Sequence, residues 1–197
     1  AMDAINYSFV FSGAPGTGKT TVARRMGEMY HKLGLLGTPE VEEVAVSEFT
    51  PGYVGQTARK TREIFERARG KVLFVDEAYR LNPKNGGQFV KEATDEMVQI
   101  LTEKEFRGKM ILILAGYEDD MESFLATNPG LKSRVPGKLT FPSFGVEDSV
   151  EILKRSLHSK HALNNGVAPL SASFIRCSWF LAVIVQSILR RFSRSPC

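Results

Sequence analysis

The sequence predicts an α/β fold, a parallel sheet with helices on both faces, and three observations carry that reading. Short apolar runs alternate with amphipathic stretches through the first two-thirds of the chain. One run, Val72-Leu73-Phe74-Val75, is apolar at every position, as a strand covered on both faces requires. A glycine-rich turn from Gly13 to Gly18 joins the first apolar run to the first amphipathic stretch.

The elements follow in order. Tyr7 to Phe11 is apolar and rich in strand formers. Residues 18–34 place Val22, Met26, Met29, Tyr30 and Leu33 at helical spacing. Val41 to Val46 predicts a strand, and Thr57 to Arg69 a charged helix carrying Ile64 and Phe65. After the buried run at 72–75, Phe89 to Glu103 has Val90, Ala93, Met97, Ile100 and Leu101 on one side of a helix. Met110 to Leu114 predicts another buried strand, Asp119 to Ala126 a short helix and Leu139 to Phe141 a last short strand. Val146 to His161 then predicts one more helix, broken at Asn164-Asn165-Gly166. Beyond it Trp179 to Leu189 is nearly all apolar, too short to span a bilayer, which needs roughly 20 residues.

Composition narrows the function. The chain has 197 residues, 43% of them hydrophobic and 24% charged, ordinary values for a soluble globular protein. Its two cysteines, Cys177 and Cys197, exclude a disulfide framework, and no secretory signal opens the chain. A soluble protein of a reducing intracellular compartment is expected. The net charge of +4 is unevenly placed. Residues 1–151 hold 19 Lys/Arg against 22 acidic residues, whereas the remaining 46 hold seven Lys/Arg and no acid. An acidic body argues against nucleic-acid binding along its surface.

Two motifs carry chemistry. Gly13-Ala14-Pro15-Gly16-Thr17-Gly18-Lys19-Thr20 fits G-x-x-x-x-G-K-[ST] at every position, after a strand and opening a helix. The glycines let several N–H groups face one point, and the helix adds its positive end. Gly13, Pro15, Gly16, Thr17, Gly18, Lys19, Thr20 and Thr21 form the candidate nucleotide contacts, with Lys19 on the β/γ oxygens. The Thr20 hydroxyl suits Mg²⁺. The second motif is the run 72–75 ending in Asp76-Glu77, at the strand edge where open α/β sheets bind ligands. Asp76 is suited to hold the metal, and Glu77 to polarise an attacking water as catalytic base.

These two motifs together resemble an AAA+ ATPase module. Within that superfamily three stretches are more specific. They are Tyr53-Val54-Gly55-Gln56-Thr57, Asp76-Glu77-Ala78-Tyr79, and Leu114-Ala115-Gly116-Tyr117 leading to Asn128-Pro129-Gly130-Leu131-Lys132-Ser133-Arg134. They resemble the red-type Rubisco activase and stage V sporulation protein K group, over roughly residues 5–160. The resemblance implies a P-loop NTPase sheet flanked by helices, the AAA+ large subdomain, over 5–145. A partial or atypical helical lid and basic tail then occupies 146–197. It implies ATP and Mg²⁺ as cofactors, other copies of the same or related modules in a ring, and a protein client.

Residue roles follow from the same resemblance. Tyr53-Val54-Gly55 matches the aromatic–hydrophobic–glycine loop that such motors project into a central pore, although a loop aromatic also packs down in many proteins. Arg134 matches the arginine finger, which reaches the γ-phosphate of a neighbouring subunit; the alternative reading is a solvated charge on a loop. Lys132 stands where the group often has a second arginine. Tyr117 stands where many members place a polar sensor, which leaves Asn128 or Glu118 as alternatives. The segment that closes over adenine is expected to be largely absent. Only the first lid helix is recognisable, with Arg176 the nearest candidate for a lid sensor. The expected function is ATP hydrolysis coupled to remodelling of a protein client. The alternatives are a nucleotide-binding interaction module with little turnover, or a nucleic-acid motor, against which the acidic core argues.

Overall fold

The computed structural model describes residues 7–50, 55–145 and 147–152, which fall into two compact units meeting in sequence at Pro142 and Ser143. In the first unit, five strands form one sheet: β1 (Ser8–Gly13), β2 (Val41–Val44), β3 (Val72–Val75), β4 (Ile111–Gly116) and β5 (Gly137–Phe141). All pairings are parallel, in the order β2-β3-β4-β1-β5. Six helices connect them: α1 (Lys19–Lys32), α2 (Val46–Phe49), α3 (Thr57–Arg67), α4 (Pro83–Ile100), α5 (Glu118–Thr127) and α6 (Pro129–Arg134). Of the second unit, residues 147–152 are helical. The predicted helix over Val146 to His161 and the apolar run at 179–189 otherwise lie outside the described residues.

Alternation along the strands divides the core into two layers. Val10, Leu73, Val75, Leu112 and Leu114 pack with Ile64 and Phe65 of α3, Ala93, Met97 and Ile100 of α4, and Met121 and Phe124 of α5. The intervening residues, Phe9, Phe11, Val72, Phe74, Ile111 and Ile113, are equally buried and face the other way. There α1 lies so close that a Cβ on Gly27 would stand 2.6 Å from the Pro39 carbonyl oxygen and 3.3 Å from Val72 Cγ2. Burial on both faces is why these strands are continuous apolar runs and not alternating ones.

Element boundaries differ from the sequence reading where packing is not periodic. Helix α4 begins at Pro83, six residues before the expected start. Asn82 caps it, its side chain accepting from the Lys84 N–H at 3.1 Å, while Gly87 (φ 69°) interrupts its first turns. That interruption breaks the apolar spacing from which a helix is read. Helices α2 and α6 have four and six residues, too short for a period to show. Asn128 caps α6 by accepting from the Leu131 N–H at 3.0 Å.

The sheet order sets the geography of the site. Strand β4 lies between β1 and β3 and pairs with both, so three loops leave the same edge side by side. Ser12 is level with Gly116, and Val75 with Leu114. The glycine-rich turn after β1, Tyr117 after β4 and Asp76-Glu77 after β3 therefore form one row at the C-terminal ends of the strands.

Candidate nucleotide site

The turn after β1 is held open by three glycines in conformations that side chains rarely adopt. Gly13, Gly16 and Gly18 have φ of 156°, 76° and 90°. A Cβ on Gly13 would also fall 2.4 Å from the Phe141 carbonyl oxygen on β5. Gly18 is the N-cap of α1, which has no side-chain cap and no acidic residue in its first turn. The first N–H groups of a helix lack partners within the helix, and here no side chain of the cap fills them. Thr17 is buried and ties the turn together, its Oγ1 donating to the Ala14 carbonyl at 2.7 Å. Ala14 and Pro15 complete the loop. Thr20 and Thr21 follow in the first turn of α1, Thr20 partly buried and Thr21 exposed.

Lys19 lies across this turn. Its Nζ donates to the carbonyl oxygens of Gly13 at 2.8 Å and Ala14 at 2.9 Å. Burial pushes its ammonium below the ordinary lysine range, and the Asp76 carboxylate acts in the opposite direction. Lys19 of the first motif and Asp76 of the second are thus close enough to interact, although 57 positions separate them in sequence. The donors suit a bound nucleotide: uncapped helical N–H groups and a lysine for phosphate, and hard hydroxyl and carboxylate oxygens at Thr20 and Asp76 for Mg²⁺.

Glu77 has the one positive φ found at a non-glycine among the described residues, at 50°. Its N–H donates to Asp76 Oδ1 at 3.0 Å, which orients the aspartate. Its carboxylate is held at both oxygens. Tyr79 Oη donates to Oε1 at 3.3 Å, and Arg80 Nη2 lies 2.8 Å from Oε2. Tyr79 and Arg80 stand in a 3₁₀ turn, Ala78–Leu81, that Glu77 opens two residues after β3. Neither contact was legible in the sequence, because both depend on the left-handed turn at Glu77. The one available signal was the position of Tyr79 within Asp76-Glu77-Ala78-Tyr79.

The remaining candidates fall elsewhere. Arg134 ends α6 and lines a cleft of about 400 Å³ with Tyr7, Ser8, Met110 and Leu112, where β1 and β4 begin. The phosphate loop follows the far end of β1, six residues on, or roughly 20 Å at strand rise. Arg134 is therefore not brought to Lys19 or Glu77 of its own chain. It donates through Nη1 to the Gly130 carbonyl at 2.9 Å, while its buried Nε has no hydrogen-bond partner. Lys132 is exposed on the same short helix. Tyr117 is 41% exposed and packs on Tyr79, ring centroids 6.0 Å apart. Asn128 is committed to capping α6, and Glu118 to an ion pair with Lys138 at 3.3 Å. Tyr53, Val54 and Arg176 lie outside the described residues.

A parallel five-stranded sheet with a phosphate loop after β1 and an acidic pair after β3 defines a class. Residues 9–142 match the family described as "ATPase family associated with various cellular activities (AAA)", and the chain belongs to it. Stage V sporulation protein K of Bacillus subtilis (strain 168) is 40% identical over 151 residues, covering 77% of this chain and 46% of that protein. Protein CbbX of Cereibacter sphaeroides is 40% identical over 152 residues, covering 77% and 48%. Protein CfxQ of Xanthobacter flavus is 41% identical over 145 residues, covering 73% and 45%. The chain spans about half the length of these curated relatives. Among solved structures, the FIGL-1 AAA domain in complex with ADP shares the fold, with a TM-score of 0.56 at 21% identity. That match covers 81% of this chain and 51% of the other. The expected kinship with the sporulation protein K and CbbX group and the expected sheet are both borne out. Among the described residues no helix is long and apolar enough to cross a membrane.

Proposed function

We propose that this chain carries the nucleotide-hydrolysing core of an AAA+ ATPase that acts with neighbouring copies on a protein client. The observation that carries the reading is the strand order, which sets the loop that leads to Lys19 and the pair Asp76-Glu77 at one edge of the sheet, beside the uncapped start of α1. Gly13, Pro15, Gly16, Thr17, Gly18 and Thr21 line the phosphates and Lys19 supplies the charge. Thr20 and Asp76 hold Mg²⁺, which when bound neutralises charge on the phosphate oxygens. Glu77 accepts the proton of the attacking water.

The position of Arg134 supports a shared site. It stands at the edge opposite its own phosphate loop, so any phosphate it reaches belongs to another chain. The large subdomain takes residues 5–145, and 146–197 form an atypical lid and tail. Tyr53 grips the client. The acidic charge of residues 1–151 favours a polypeptide over nucleic acid.

Size-exclusion chromatography with light scattering tests this directly, with and without a slowly hydrolysed ATP analogue and Mg²⁺. Nucleotide-dependent assembly is the expected result. A chain that neither binds the analogue nor changes mass would overturn the reading.

A further inference from the structure

A glutamate that serves as a base has to stay in place. The Glu77 side chain is 43% exposed and, without restraint, would exchange between rotamers in solvent. Its backbone is in the left-handed region, a conformation that persists at a non-glycine residue only where the surroundings over-determine it. The surroundings in question are Asp76, Tyr79 and Arg80.

Of the two side chains on the carboxylate, Tyr79 is the better fixed. Its ring fills the space beside Gly116 at the end of β4, where a Cβ would stand 2.8 Å from Tyr79 Cδ1 and 2.9 Å from Met121 Sδ. The Tyr117 ring packs on it at a tilt of 52°. A tyrosine has only two side-chain torsions, so packing the ring places the hydroxyl. Burial raises the Tyr79 hydroxyl above its ordinary range, so it remains a donor at neutral pH. Arg80 makes the shorter contact, but its side chain is 62% exposed, three residues from its partner, and open to screening by salt.

We propose that Tyr79 is the positioning residue for Glu77, its ring fixed by Gly116 and Tyr117 and its hydroxyl holding Oε1. Gly116 then has a functional reason. A side chain at position 116, at the end of β4, would expel the ring that steadies the base. The inference rests on the reading of Glu77 as the catalytic base. It adds that a residue of the turn after β3 holds that base in place.

The test is steady-state ATP hydrolysis by the full chain with Mg²⁺, comparing the parent with Tyr79→Phe, Arg80→Ala and Glu77→Gln. Tyr79→Phe keeps the ring and removes only the donor. It should lower kcat by roughly threefold to tenfold, the range of one hydrogen bond, and leave the KM for ATP unchanged. Adding it to Glu77→Gln should lower kcat no further. Arg80→Ala should lower kcat less than Tyr79→Phe does. A denaturation cycle reads the contact without turnover. Tyr79→Phe should change the unfolding constant about twofold to fivefold in the parent, and not in the Glu77→Ala background. A parent no faster than Glu77→Gln would overturn the base assignment itself. A parent that depends on Glu77 while Tyr79→Phe matches it would overturn the positioning role alone. A kcat loss confined to Arg80→Ala would transfer that role to Arg80.

Discussion

The Lys19 ammonium donates to the Gly13 carbonyl at 2.8 Å, closing the phosphate loop on its own charge. The two residues are six apart, and the contact exists because Gly16 and Gly18 take positive φ and turn the backbone under the side chain. A phosphate arriving at this loop replaces two carbonyl dipoles with full negative charge. Lys19→Ala should therefore abolish ATP binding while leaving the fold intact. For the parent, ATP–Mg²⁺ at 100 times its Kd stabilises by about 2.7 kcal/mol. Thermal denaturation should show a rise of several degrees for the parent and none for the variant. An equal rise in both would remove Lys19 from the site.

Glu77→Gln separates binding from chemistry. The amide keeps the length of the side chain and an oxygen to accept from Tyr79, but it cannot take a proton. ATP should bind with parental affinity, and hydrolysis should fall by roughly 10²–10⁴. Isothermal titration and a phosphate-release assay measure the two quantities. Loss of binding, or turnover within twofold of the parent, would count against Glu77 as the base.

Arg134→Ala tests whether the site is shared. The side chain is held on α6 by the Gly130 carbonyl and stands at the edge away from its own phosphate loop. Its removal should lower turnover by roughly 10³–10⁵, the contribution of such fingers, with little change in ATP affinity. Mixing Arg134→Ala with Glu77→Gln subunits should restore some activity, because one type of junction then has both groups. Full turnover by a dilute monomer, independent of concentration, would refute the shared site.

How far these residues could be read from the sequence depended on how local their physics is. The glycine-rich turn after β1 was legible in place and shape, because its glycine spacing reports a backbone requirement that lies within eight residues. Strands β1, β3 and β4 were legible because burial on both faces leaves an unbroken apolar run. The start of α4 was not, since Gly87 interrupts the helix where its period should begin. Nor was the hold on Glu77, which needs a positive φ at a glutamate, a conformation that no composition rule predicts. The proposal of a cross-chain role for Arg134 came from resemblance. Its distance from the loop of its own chain emerged only from the strand order.

Arg62 provides the last prediction, a contact that sequence spacing does not reveal because its ends are 41 positions apart. From α3 its guanidinium donates to both Glu103 oxygens, at 2.8 and 2.7 Å, and lies 2.8 Å from Glu96 on α4. The bonds from Arg62 hold the Glu103 carboxyl below the usual range for glutamate. A depressed folded-state value sets the sign. The pair contributes stability above the unfolded-state value, about 4.3, and loses it as pH falls through the lowered value. Arg62→Met keeps most of the packing stem and removes the charge. Because Arg62 is 37% exposed, solvent screening limits the effect, and the expected loss at pH 7 is about 1 kcal/mol or less. Denaturant unfolding from pH 7 down to about pH 3 should show the parent and variant converging below about pH 4. A gap that persists undiminished at the acid end would assign the loss to packing between α3 and α4, and not to the ion pair.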